Sequence, residues 1–331
     1  MANRIRASVV QASTAAYDLA ATLEKLESYA RLAKQRDDAQ LVVFPEALYS
    51  SFIATAAKLA NAPRHSIGGY PKMSSFGLKV GDRRPEGRNE FLRYANAAIE
   101  IPSPTITRLE QLSADLSVFM VVGIVERDRG TLYCTVVFID PSQGYLAKHR
   151  KILPTGMERT IWGRGYASTL PVPEVSFESV NGPALKARVS ATICWENYMP
   201  LLRTFYYSKG TQIYCAPTVD AGSEWQITIK HIAREGRCFV LSACQYAEEK
   251  DFPEGHAVVD EAKRNPSNVM IGGGSAIVSP FGEVLAGPLL GEEGVLSADL
   301  DLDEIVKGKF DFDVVGHYSR PDIFKLTVSG L

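Results

Sequence analysis

No stretch of the sequence stays apolar for the roughly 20 residues that a membrane-spanning helix needs. The N-terminus, Met1-Ala2-Asn3-Arg4-Ile5-Arg6, does not lead into the apolar segment of an export signal. A basic excess is missing too. The 36 Lys and Arg stand against 38 Asp and Glu, and the net charge of −2 argues against a nucleic-acid binder. The densest basic run, Lys148-His149-Arg150-Lys151, is short and set among apolar residues. Cysteine is scarce: Cys134, Cys194, Cys215, Cys238 and Cys244 are all there is in 331 residues. Their number is odd, no two have Cys-x-x-Cys spacing, and no histidine lies near enough for a zinc knuckle. Neither a disulfide framework nor a zinc site is therefore expected. Reduced thiols in a cytoplasm fit this pattern, most of them as small buried hydrophobes. The expectation is a cytoplasmic protein with no membrane or nucleic-acid partner.

What is present is a regular alternation of strand and helix patterns. Ile5, Ala7 and Val9 alternate with polar neighbours and mark a first strand. Leu19, Leu23, Leu26, Ala30 and Ala33 follow a helical period over about 18–36. The run Leu41 to Phe44 reads as a buried strand ending at Pro45. Ile106, Leu109 and Leu112 mark a second helix, followed by strands over 118–125 and 132–139 and a turn at Asp140-Pro141-Ser142-Gln143-Gly144. In the second half, strands are predicted at 187–194, 212–216, 237–244 and 275–280. One helix has Pro200 in its first turn and Gly210 past its end. Another carries Trp225, Thr228, Ile229 and Ile232 on one face, with Ser223 as N-cap. Gly272-Gly273-Gly274 reads as a flexible approach to the last strand, and Phe281-Gly282-Glu283 as a hairpin turn. With no linker or repeat in sight, a single α/β domain over 1–331 is expected.

In α/β folds, reactive groups collect at strand ends. Three residues stand there: Glu46, Lys151 and Cys194. A cysteine between a strand and a helix start faces the helix's positive end, which lowers its pKa and supplies N–H groups for an anion. Cys215 ends another strand and is a rival on this argument alone. Glu46 suits a general base, and the bland alternative is a cap or surface carboxylate. Lys151, if buried beside Glu46, would stabilise negative charge; otherwise it belongs to a solvated basic face. A Cys–His dyad with His149, His231 or His256 has no local motif behind it.

The blocks Phe44-Pro45-Glu46-Ala47, Lys148-His149-Arg150-Lys151-Ile152-Leu153-Pro154-Thr155 and Cys194-Trp195-Glu196-Asn197-Tyr198 resemble the three signature blocks of the nitrilase family, in order and at about its spacing. The resemblance extends through Glu158-Arg159-Thr160-Ile161-Trp162-Gly163, Ile213–Thr218, Glu235–Val240 and Val315–Asp322. It implies Cys194 as nucleophile, Glu46 as general base, Lys151 as catalytic lysine and Glu158 as a second glutamate orienting the lysine. It settles the rivalry with Cys215. Trp195, Tyr49, Trp162 and Asn197 are the implied substrate-binding candidates. The implied fold is a four-layer α-β-β-α sandwich. The implied reaction takes a small organic nitrile through a thioimidate and a thioester to acid and ammonia, with no metal or cofactor. Self-association to a dimer or larger spiral is also implied, with the helix surfaces near 197–208 and 223–236 as contacts. The runner-up activity is an amidase or carbamoyl-amide hydrolase on the same residues; a non-catalytic, self-assembling scaffold is the reading from another class.

Two features depart from the family pattern. The Gly68-Gly69-Tyr70-Pro71-Lys72 segment is delayed by an Ala-rich insertion at about 49–67, with Phe52, Ile53, Ala56, Ala57 and Leu59 clustered. Its composition suits a short helix and suggests a lid or interface element; a tolerated surface insertion is the plain alternative. The strand before Cys194, Ala187–Ile193, also lacks the usual glycines.

Overall fold

The computed structural model describes residues 3–48, 85–178, 183–252 and 264–331. The insertion at 49–67 and Tyr49 lie outside them. In chain order the elements begin with β1 (Arg4–Gln11), α1 (Leu19–Asp37), β2 (Leu41–Val43), α2 (Pro85–Ala97), α3 (Pro104–Leu116), β3 (Phe119–Asp128), β4 (Thr131–Asp140) and β5 (Gly144–Arg150). There follow β6 (Glu174–Phe177), β7 (Leu185–Ala191), α4 (Pro200–Ser208), β8 (Ile213–Cys215), α5 (Ser223–Gly236), β9 (Phe239–Ser242) and β10 (Tyr246–Glu248). The last are β11 (Val269–Val278), β12 (Val284–Leu290), β13 (Gly294–Asp301) and α6 (Asp303–Asp311).

The strands form two sheets, ordered β13-β1-β2-β3-β4-β5 and β10-β11-β9-β8-β7-β6, with β12 on β11. Each has a parallel centre, β1/β2/β3 in one and β7/β8/β9 in the other. The period-two alternation of side chains then builds the layers. Leu41 and Val43 of β2 face a shared core with Val189, Ile213, Phe239 and Leu241 of the second sheet. Val42, between them, turns the other way onto Leu23, Leu26 and Leu109. The outer face of the second sheet packs Tyr214 and Val240 on Phe205, Trp225 and Ile229. Two helix layers thus sandwich two sheets, the four-layer α-β-β-α arrangement expected. Because β2 is buried on both faces, its sequence is apolar without interruption.

Helix ends follow local chemistry. Asp18 caps α1 by accepting from the Ala21 N–H, and Asp38 closes it in the left-handed conformation. Ser103 and Pro104 open α3 in the same spirit. Two local expectations are corrected. The N-cap of α5 is Gly222, while the Ser223 hydroxyl bonds to Glu224 Oε2. Gly272–Gly274 is not a loose approach but part of β11. Gly273 and Gly274 take positive φ, and the Gln11 side chain occupies the space a Cβ on Gly273 would need. Gln11 Oε1 accepts from the N–H groups of Gly274 and Ser275, so this kink joins the two sheets.

Candidate active site

Glu46, Lys151 and Cys194 follow β2, β5 and β7, and the three are fully or almost fully buried. Lys151 Nζ donates to Glu46 Oε1 at 2.7 Å and to Glu158 Oε2 at 2.9 Å. Its backbone is fixed on both sides: its N–H donates to Cys134 O, and its C=O accepts from the Gly165 N–H. Gly165 has to be glycine for this, since a Cβ there would lie 2.1 Å from Arg150 O. Burial alone would lower the Lys151 pKa, but Glu158 and Glu46 outweigh it and hold the ammonium well above its ordinary value. Lys151 is therefore a buried lysine held toward its charged form and not part of a solvated face.

Glu158 lies in the short turn Gly156–Thr160 and closes a capping box, with Oε2 accepting from the Thr155 N–H at 2.5 Å. Burial raises its pKa, Lys151 opposes and Glu46 adds, and the net shift is upward.

Glu46 is held from three directions. Its Oε1 takes Lys151 and the Cys134 thiol (3.5 Å), while its backbone carbonyl accepts from Gln245 Nε2 at 2.7 Å. The other carboxylate oxygen, Oε2, is buried and has no hydrogen-bond partner among the described residues. A base with one oxygen anchored and one open can take a proton without losing its place. The backbone beside it rests on Gly123 of β3, where a Cβ would meet Pro45 O at 2.1 Å and Glu46 Cα at 2.9 Å.

Cys194 adopts φ 51°, and Ala47, next to the base, adopts φ 49°. Asp38, Ser117 and Arg237 also have positive φ, but as helix C-caps. Cys194 and Ala47 cap nothing, and strain of this kind concentrates at functional sites. The Cys194 conformation is held by its N–H on Pro217 O (2.9 Å) and by Asn197 Nδ2 on its carbonyl (2.8 Å). The expected lowering of its pKa by a helix end is not found. A single turn, Cys194–Tyr198, separates it from α4. Burial first, and then the Glu46 charge, push the thiol well above its ordinary value; Lys151 and a hydrogen bond with Thr218 pull the other way. This upward direction favours the neutral thiol, and such a nucleophile calls for a base. Cys215 is equally buried, but burial alone shifts it, with no charged group among the described residues acting on it.

The remaining candidates divide. Trp162 is buried behind the lysine, its ring 5.8 Å from Nζ and its indole N–H on Tyr94 Oη at 2.9 Å. Trp195 is half exposed and donates to Asp220 Oδ2. Asn197 is fully buried in the turn that follows the nucleophile. Both amide functions are occupied, Nδ2 by the carbonyls of Thr192 and Cys194 and Oδ1 by the Thr192 hydroxyl. Of the histidines, His149 pairs with Glu196 and His231 is exposed beside Glu235, so neither serves Cys194; His256 lies outside the described residues. Sequence reasoning passed over Cys134, Thr218, Gln245 and Gly123, whose partners are remote in the chain.

The arrangement offers a thiol, a base, a fixed cation and a second carboxylate in one buried site, which suits addition of sulfur to an electrophilic carbon attached to nitrogen. No His/Cys/Asp/Glu group suited to hold a metal ion occurs among the described residues.

Comparison with known proteins agrees. The chain is 65% identical to an arylacetonitrilase from Trametes versicolor (strain FP-101664), over 98% of this chain and 97% of that protein. It is 48% identical to a bifunctional nitrilase/nitrile hydratase from Lupinus angustifolius, over 98% and 86%, and 46% identical to an aliphatic nitrilase from Sinorhizobium fredii (strain HH103), over 98% and 96%. Among solved structures, an amidase from Nesterenkonia sp. superposes with a TM-score of 0.62 at 19% identity, covering 92% of this chain and 94% of that one, which speaks to the fold. The carbon-nitrogen hydrolase pattern spans residues 6–310, and the chain belongs to the carbon-nitrogen hydrolase family.

Proposed function

We propose that the chain is a nitrilase that converts an organic nitrile to its carboxylic acid and ammonia, with arylacetonitriles as the first substrates to test. The observation that carries this reading is the buried Glu46–Lys151–Glu158 cluster whose charges act on the Cys194 thiol. The similarity to the Trametes arylacetonitrilase supports the substrate class.

Glu46 Oε2 takes the Cys194 proton as sulfur bonds to the nitrile carbon. The nitrogen receives that proton, giving a thioimidate. Lys151, with the Trp195 backbone N–H, stabilises the charge that grows on nitrogen, an effect strong in a site this buried. Water then adds to the thioimidate carbon, its proton passing through Glu46 to nitrogen. Ammonia leaves and a thioester remains, which a second water cleaves to the acid and the free thiol. No step calls for a metal or an organic cofactor. Trp162 serves as the wall behind the lysine, and Trp195 and Tyr49 are proposed to meet the substrate.

Ammonia release from phenylacetonitrile, an aliphatic nitrile and the matching amides tests the reading. Turnover of the aryl nitrile above the amides supports it, and amide turnover alone would replace it with an amidase. A single catalytic unit acting as a homodimer in the cytoplasm completes the proposal. The exposed Tyr198, Leu201 and Ile227 lie on the helix surfaces proposed for the contact. No helix among the described residues is long and apolar enough to cross a membrane. Light scattering that finds only a monomer at micromolar concentration would refute the dimer.

A further inference from the structure

A second buried charge pair, His149 with Glu196, links the segments that carry Lys151 and Cys194. Glu196 and His149 are both fully buried. His149 Nε2 meets Glu196 Oε1 at 2.5 Å, and His149 Nδ1 faces the Thr169 carbonyl at 2.8 Å. With an acceptor at each ring nitrogen, the imidazole carries both protons.

The placement of the other bonds is what gives the pair meaning. Glu196 Oε1 also accepts from the Ile193 N–H at 2.6 Å, and Glu196 Oε2 accepts from the Ile152 N–H at 2.9 Å. One carboxylate therefore holds Ile193, the residue before the nucleophile, while sitting two residues after it. The same carboxylate holds His149, two residues before the lysine, and Ile152, the residue after it. Both reacting groups are bracketed by a single side chain, across a gap of 47 residues in the chain. A buried ion pair is a poor device for stability alone, because an apolar pair of like size serves as well; its best-attested use is to fix register.

We propose that His149 and Glu196 are positioning residues that set the distance between the Cys194 sulfur and the Lys151 ammonium, and so decide which group leaves the tetrahedral intermediate. That intermediate carries OH, NH2 and the Cys194 sulfur on one carbon. If nitrogen receives the proton, ammonia leaves, and the thioester goes on to acid. If sulfur receives it, the thiol leaves and the product is the amide. The two routes consume the same nitrile and differ by one water. The separation of sulfur from the Lys151–Glu46 pair governs the choice, and Glu196 holds that separation. The inference rests on Cys194 and Lys151 as the reacting groups.

The test is the acid-to-amide ratio from phenylacetonitrile, with kcat and KM, in His149→Leu and His149→Gln. The ratio is a property of each turnover, so a smaller folded fraction does not alter it. His149→Leu removes the donor to Glu196. Its kcat should fall about 100-fold, the scale of a misplacement near 1 Å, with KM little changed and amide becoming a major product. His149→Gln keeps an N–H near the Nε2 position and should restore most of the ratio and the rate. Where His149→Leu does not fold, Glu196→Asp, with its charge kept and its reach shortened, should show the same shift toward amide. A wild-type ratio in a folded variant would overturn the proposal. So would failure of both His149→Leu and Glu196→Asp to fold, which would make the pair a stabiliser only. Cys194→Ala run alongside separates the two levels: retained turnover there would remove the site assignment itself.

Discussion

Gly123→Ala tests whether the base is seated as the structure shows. Gly123 lies in β3 directly under the Pro45–Ala47 segment, and the Leu48 N–H donates to its carbonyl at 3.1 Å. A Cβ there would stand 2.1 Å from Pro45 O and 2.9 Å from both Ala47 N and Glu46 Cα. Real Cβ atoms essentially never come within 3.0 Å of another heavy atom, so the segment must retreat by about 0.9 Å. Its neighbours are backbone, with no flexible tip to swing aside. Glu46 would move with the segment, and its 2.7 Å bond to Lys151 would stretch toward the limit of hydrogen bonding. Overpacking of this kind costs about 1–3 kcal/mol of stability. Displacing a catalytic group by about 1 Å costs about 100-fold in kcat. Gly130 provides the control, because a Cβ there meets nothing within 4 Å. Both variants should be assayed for ammonia release and melted in parallel. Gly123→Ala with wild-type kcat, or Gly130→Ala equally impaired, would refute the reasoning.

Three other outcomes are expected. Alkylation of Cys194 by iodoacetamide should keep accelerating with pH up to and beyond 9.0, since burial and Glu46 raise the thiol above that value; a rate already flat at pH 7 would indicate a resting thiolate. Cys134→Val removes the thiol donor from Glu46 Oε1 and should lower kcat about tenfold, the rate equivalent of one hydrogen bond to a charged group, with Cys134→Ser recovering most of it; equal rates in all three proteins would show that the contact is idle. Burial opposes the charge on His149, but Glu196 outweighs it and raises the pKa above 6.5. The pair's stabilisation is therefore complete below about 6.5 and is lost as pH rises through the folded-state value. The melting temperature of the wild type relative to His149→Gln should narrow on raising pH; a constant gap contradicts a charged pair.

Much of this site was legible in the sequence for a simple reason. Glu46, Lys151 and Cys194 each end a strand, and strand ends show in the apolar pattern. The layer structure was legible where both faces of a strand are buried, as in β2. The half-exposed strands β12 and β13 alternate too weakly to stand out. Glu158 carried no signal of its own and entered by family resemblance. Cys134 and Gln245 reach Glu46 across 88 and 199 residues, and no local pattern reports such pairing. The bonds of Asn197 back to the Thr192 and Cys194 carbonyls of its own loop are likewise set by the fold and have no signal in the residue pattern. The thiol's direction of shift was misread for a related reason: chain order places a helix next, but the depth of burial and the charge of Glu46 belong to the folded site.

The central claim is that Cys194 carries the covalent intermediate. Enzyme turning over phenylacetonitrile can be quenched in acid, digested and mapped by mass spectrometry. The account predicts an arylacetyl adduct on the peptide containing Cys194, absent in Cys194→Ala, which should be folded and inactive. An adduct on Cys215, or turnover that persists in Cys194→Ala, would contradict it.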